Sequence, residues 1–114
     1  MTKHNSLTLQ GRPASAGIVT GHVRIINNRS DLKLIEPGEI VIAEQTEPSY
    51  GPYLRRAGAI VTERGGRTCH CAIYARERGI PAVVGVADIM KILSGYSTVQ
   101  VDGGQGIVIA GEAC

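Results

Sequence analysis

Thr62-Glu-Arg-Gly-Gly-Arg-Thr-Cys-His-Cys-Ala-Ile-Tyr-Ala-Arg-Glu-Arg-Gly-Ile-Pro-Ala-Val-Val-Gly85 is the one stretch of the chain where a nucleophile, flexible glycines and several arginines converge. Its opening, with Ala59-Ile-Val ahead of Thr62, reads as a short buried strand that Gly65-Gly66 breaks. Thr68 stands where a helix N-cap is expected, before Ala72, Ile73 and Ala75, and Gly79 with Pro81 behind it marks the stop. The pattern predicts a strand, a glycine turn and a helix of about three turns, with His70 in the first turn.

A helix N-terminus presents unpaired backbone N–H groups and the positive end of the macrodipole, so a phosphate held there is stabilised. The same field disfavours a protonated imidazole and so favours the neutral form, which is the nucleophile. A phosphoryl group accepted by His70 would meet the backbone around Gly66, Thr68 and Cys69, with the Arg67 guanidinium adding charge. The competing reading is a histidine that caps the helix or packs against it.

The string Gly-Gly-Arg-Thr-Cys-His-Cys-Ala-Ile-Tyr-Ala-Arg-Glu-Arg-Gly-Ile-Pro-Ala-Val-Val-Gly resembles the phosphohistidine segment of the phosphoenolpyruvate-utilising enzymes. That family includes phosphoenolpyruvate synthase (pyruvate, water dikinase), pyruvate phosphate dikinase and the first enzyme of the sugar phosphotransferase system. The Arg-Thr-Cys-His wording is most similar to the synthase. The resemblance extends to Gly11-Arg-Pro-Ala-Ser-Ala-Gly17, like the start of the family's mobile domain, and covers roughly residues 7 to 109. It implies a swivelling domain whose histidine, His70, carries a phosphoryl group between an ATP site and a pyruvate or phosphoenolpyruvate site. It also implies that Thr68, two positions before the histidine, is a regulatory phosphorylation site, and that Nε2 is the modified nitrogen. Cys71 stands where a smaller residue is usual, and Tyr74 where an aliphatic one is.

Composition sets the outer limits. At 114 residues and 12.0 kDa the chain makes one domain, 7–114, behind a flexible tail, 1–6. With 43% hydrophobic and 19% charged residues it is globular, and without Trp or Phe its core must be aliphatic. A net charge of +2, with no basic stripe interleaved with aromatics, argues against a nucleic-acid partner. No apolar run reaches the roughly 18 residues of a membrane span, and the polar start lacks a signal-peptide core, so the default location is cytoplasmic. Three cysteines argue against a disulfide framework. Cys69 and Cys71 lie about 200° apart around a helix, so they cannot share one metal ion, and no metal site is expected.

Along the rest of the chain, Leu7 to Gln10 opens a strand and Gly11 to Gly17 reads as a turn-rich link. Residues 17–26 alternate, with Val19, Gly21, Val23 and Ile25 on one side and Ile18, Thr20, His22 and Arg24 on a wetter one. His22, like His4, reads as an ordinary exposed histidine. Leu32 to Ile35 predicts a short helical segment, Glu39 to Ala43 a strand, and Tyr50 to Arg56 a short helix with Pro52 near its start. Thr46 and Pro48, matching a threonine and proline common in the family, read as turn residues near the phosphate. Arg55 and Arg56 read either as a solvated face or as a docking surface for an acidic or phosphorylated partner. Ala82 to Val84 predicts a strand, residues 88–93 a small helix capped by Asp88, and residues 98–101 and 106–110 a hairpin around Asp102-Gly-Gly-Gln105.

The residues alone give a mixed α/β fold of about seven short strands and one main helix; the resemblance implies a layered β/β/α swivelling domain. No Gly-x-x-x-x-Gly-Lys-Ser/Thr loop and no carboxylate cluster for Mg²⁺ is present, so the chain binds no cofactor of its own. Mg²⁺ and ATP or phosphoenolpyruvate are expected at partner sites, on nucleotide-binding and phosphoenolpyruvate- or pyruvate-binding domains or subunits. The chain is then part of a phosphotransferase, either an excised domain or a small carrier with a docking face. The alternative is a non-catalytic binding or regulatory module that keeps the fold.

Overall fold

The computed structural model describes residues 7–66 and 69–110. Among these residues there are eight strands: β1 (Leu7–Gln10), β2 (Arg12–Ser15), β3 (Ile18–Ile26), β4 (Ile40–Ala43), β5 (Ala59–Thr62), β6 (Ala82–Val84), β7 (Thr98–Asp102) and β8 (Ile107–Ala110). The helices are α1 (Gly51–Leu54), α2 (His70–Arg78) and α3 (Ile89–Ile92), with 3-10 turns at Arg29–Leu34, Pro48–Tyr50 and Leu93–Gly95. No helix among the described residues is long and apolar enough to cross a membrane.

The strand order is β1-β8-β7-β3-β4-β5-β6-β2, and β3 belongs to two sheets. Its first half, Ile18 to His22, pairs antiparallel with β7, whereas Val23 to Ile26 run parallel to β4. One side is therefore an antiparallel sheet of β1, β8, β7 and β3; the other is a parallel set, β3-β4-β5-β6, with β2 antiparallel at its edge. The parallel strands are short, unbroken apolar runs because both of their faces are covered. Val41, Ala43, Ile60, Ala82 and Val84 pack toward α2 and α1, while Ile40, Ile42, Val61 and Val83 pack toward Val99, Val101 and Val108 of the antiparallel sheet. Antiparallel sheet, parallel sheet and helix make the β/β/α layering.

The alternation of residues 18–22 gives one half-buried and one exposed face; from Val23 onward both faces are covered. Arg24 remains partly accessible there and donates to Glu39 through Nε (2.8 Å) and a terminal nitrogen (3.0 Å). Burial pushes the Glu39 carboxyl up, but the Arg24 hydrogen bonds and the Glu36 backbone N–H outweigh it and hold Glu39 below the usual range. A depressed carboxylate stabilises the fold above its unfolded pKa, and that contribution is lost as pH falls through the lower folded value. Glu39→Gln is accordingly expected to cost about 1–2 kcal/mol at neutral pH. In urea melts across pH, the gap to the parent should close as Glu39 itself becomes protonated.

Three expectations need correction. The Gly11–Gly17 link contains β2, paired with β6; Pro13, which has no N–H, is tolerated because β2 is an edge strand with an irregularity at this point. That strand raises the count from about seven to eight. Asp88 precedes α3 but makes no capping hydrogen bond, because its backbone is left-handed (φ 59°). The N-cap of α2 is Cys69, one residue later than expected, so His70 is the first helical residue.

Candidate functional site

The site lies at the carboxyl ends of the parallel strands, where open α/β sheets gather their functional loops. Beyond β4 and β5 the pairing continues, with Glu63 N–H on the Ala43 carbonyl (3.0 Å) and Arg64 N–H on that of Glu44 (2.9 Å). Thr62 is fully buried and donates to the Arg64 carbonyl at 2.6 Å, which turns the chain sharply out of β5. Gly65 follows at φ 118°, a backbone that requires glycine; an added Cβ would stand 2.8 Å from the Cys69 sulfur, which would have to turn away. Gly66 faces open space, so packing does not demand a glycine there. Arg67 and Thr68, expected to hold phosphate and, for Thr68, to be regulated, lie outside the described residues.

The Cys69 N–H is taken by the Gly66 carbonyl (3.1 Å), so that amide is used internally and is not free for a phosphate. By helix geometry the N–H groups of His70, Cys71 and Ala72 have no helical acceptor one turn back, and among the described residues no side chain caps α2. Helix α2 buries Cys71, Ala72 and Ala75, whose small side chains let it lie close on β2, β5 and β6. Ile73 is 44% exposed, whereas Cys71 is buried. Burial above all, with Cys69 nearby, pushes the Cys71 thiol up to about 12, so it is an inert core group.

His70 is half-buried, and its Nδ1 lies 3.0 Å from Thr46 Oγ1 on the loop after β4. Nε2 has no hydrogen-bond partner among the described residues. One helical turn on, the Tyr74 ring lies 5.8 Å from that of His70, and its hydroxyl donates to the Gly51 carbonyl at 2.9 Å. Tyr74 thus ties the segment carrying Thr46 to the helix carrying His70, a part the sequence reading did not assign to it. Arg29 fastens the other flank, donating to Ser49 Oγ (2.8 Å) and lying over the Tyr50 ring. His22 is exposed on the antiparallel sheet, away from the site. Among the described residues no three His, Cys, Asp or Glu side chains are gathered as a metal centre would need.

In a neutral imidazole one nitrogen carries the proton and the other the lone pair. If Nδ1–H donates to Thr46, the pair is on Nε2. Thr46→Val, which keeps the shape and removes the acceptor, should slow any Nε2 chemistry roughly two- to tenfold, the worth of one neutral hydrogen bond. Single-turnover rates would read this, with Thr46→Ser restoring most of the loss.

Residues 35–106 match the model of the family described as PEP-utilising enzyme, mobile domain. The chain is 40% identical to phosphoenolpyruvate synthase of Pseudomonas aeruginosa (strain UCBPP-PA14) over 98% of its own length and 14% of that protein's. A probable phosphoenolpyruvate synthase of Archaeoglobus fulgidus is 44% identical over 93% of this chain, again spanning 14% of the relative. Among solved structures, a solution structure of Enzyme I (nEIt) superposes with a TM-score of 0.61 at 37% identity, covering 75% of this chain and 34% of that one. The chain thus spans about one seventh of the length of these synthases.

Proposed function

The chain belongs to the mobile-domain family of the phosphoenolpyruvate-utilising enzymes, and from that membership we propose that it is a phosphoryl carrier with His70 as the nucleophile. The observation that carries this reading is the Thr46 contact to Nδ1, combined with an Nε2, on the first residue of α2, that has no partner among the described residues. In the transfer step the Nε2 lone pair forms a bond to phosphorus as the bond from phosphorus to the leaving oxygen breaks. The oxygen departs with that electron pair, and Thr46 holds the Nδ1 proton in place. The new N-phosphoryl oxygens face the N–H groups of the first helical turn, where the dipole favours negative charge. Return of the phosphoryl group to an acceptor oxygen runs the same step backward and regenerates the neutral ring.

Everything else the reaction needs is assigned to other domains. Nucleotide-binding and phosphoenolpyruvate- or pyruvate-binding sites, with Mg²⁺, would lie on partner domains or subunits in the cytoplasm, and a tether would hold the carrier near both at effective concentrations on the order of mM. The role of Arg67 and Gly66 in holding the phosphate, and of Thr68 in regulation, belongs to the same proposal.

The test is to incubate the chain with labelled phosphoenolpyruvate or ATP and a phosphoenolpyruvate synthase whose own mobile domain has been removed. One acid-labile, base-stable label on the peptide containing His70 is the expected result. Persistent absence of label on a folded chain, across synthases of several origins, would instead favour a binding module that keeps the fold.

A further inference from the structure

We propose that the cleft lined by Pro52, Arg55, Arg56 and Arg78 is a docking surface for a carboxylate-rich face of the protein domain that exchanges phosphate with His70.

Arg55 and Arg56 follow α1, Arg78 ends α2, and all three are exposed. None makes an ion pair among the described residues, whereas Arg24 and Arg64 pair with Glu39 and Glu44. Arg78 instead lies over the Tyr74 ring, 5.8 Å from its centre. Three guanidiniums around one depression of about 450 Å³, with no carboxylate among its lining residues, form a concentrated positive patch. On a chain of net charge only +2, that patch is local rather than a general basicity.

The surface next to it points to a protein rather than a small anion. A second depression, of about 420 Å³, shares Pro52 and Arg56 and continues past Lys33 and the half-buried Tyr53, over the buried Leu32 and Ile35. Leu34, 52% exposed, stands on the 3-10 turn that supplies Leu32. Free phosphate or pyrophosphate would use the arginines and leave Leu34, Pro52 and Tyr53 idle. Exposed Leu and Pro with Tyr and Arg beside them have the composition of a protein interface, and charge complementarity there raises the rate of encounter.

The patch is also connected to the carrier. His70 touches Tyr74 and Tyr74 touches Arg78 along one face of α2, so the arginines begin about 12 Å from the histidine at 1.5 Å rise per residue. A partner seated on them would lie along the helix that carries the imidazole. That relation to transfer rests on the reading of His70 as carrier; the surface itself does not, and the test needs no phosphorylation.

The experiment is an amide chemical-shift titration of the isotope-labelled chain with a short polyglutamate peptide and, separately, with inorganic pyrophosphate at equal ionic strength. The peptide should shift the amides of residues 53–56 and 76–79. Arg56→Glu should weaken it at least about fivefold, while Lys91→Glu, an equal charge change on α3, should leave it within about twofold. The same shifts should appear in His70→Ala, so a failed carrier reading and a failed docking surface are told apart. Absent or scattered peptide shifts, equal sensitivity to both charge reversals, or a response to pyrophosphate but not to the peptide would each overturn the proposal.

Discussion

Replacing His70 by alanine is expected to reduce phosphoryl incorporation to background while the domain stays folded. The effect is all-or-none because the imidazole is the covalent acceptor; no neighbour can take its place. Cys71 is buried with its thiol pushed up to about 12. Cys69 could at most give an S-phosphoryl group, which the acid and base stability of the label would distinguish from an N–P bond. The fold survives because α2 is anchored by Cys71, Ala72 and Ala75 on its buried face, not by the half-buried ring before them. Loss of the Thr46 contact should cost about 1 kcal/mol. His22→Ala, on the exposed face of β3, is the matched control and should label like the parent. Full labelling of His70→Ala would remove the carrier assignment at once. Its loss together with the native circular dichroism spectrum would mean only that the variant had unfolded, and unfolding is checked in the same sample.

Those parts of the fold whose signals are local could be read from the sequence. The runs Ile40–Ala43, Ala59–Thr62 and Ala82–Val84 are apolar without alternation because a parallel sheet lies between two layers, and the Asp102-Gly-Gly-Gln105 turn announces the β7–β8 hairpin. What escaped depends on contacts between distant segments. Strand β2 is hidden because Gly11, Pro13 and Gly17 have the chemistry of a turn, and only its pairing to β6, about 70 residues later, makes it a strand. The buried face of α2 could not be chosen from Cys71, Ala72, Ile73 and Ala75, since the helix is short and its residues small; the sheet beneath selects Cys71 and turns Ile73 outward.

The site divides in the same way. His70 stood out because a glycine turn and a helix start bracket it within a few residues. Its contact with Thr46 spans 24 residues and was legible only as a turn near the phosphate, and the Tyr74 hydroxyl bond to Gly51 spans 23. Tyr74 was noticed only as bulkier than the aliphatic residue usual at its place. The structure gives that size a use, because an aliphatic side chain could neither reach the Gly51 carbonyl with a donor nor offer Arg78 a ring.

Gly103→Ala is expected to be the most damaging addition of a single methyl group. The turn after β7 lies against the edge where β2 meets β6: the Gly103 N–H donates to the Gly17 carbonyl at 2.8 Å, and Ser15 of β2 pairs with Ala82 of β6. A Cβ at Gly103 would overlap the Ser15 carbonyl oxygen and stand 2.9 Å from the Ala82 nitrogen. Both obstacles are backbone, so no rotamer change relieves them; either the hairpin lifts off or β2 peels from β6. The cost should fall at the upper end of overpacking, about 3 kcal/mol or more, against a domain stability of roughly 5–15 kcal/mol. Thermal unfolding should then drop by on the order of 10–20 °C. Gly95→Ala, where an added Cβ meets open space, should change it little. Because α2 rests on β2 and β6, the loosening should also appear as faster amide exchange along the helix that carries His70. An unchanged melting temperature for Gly103→Ala would mean that the hairpin does not clasp this edge.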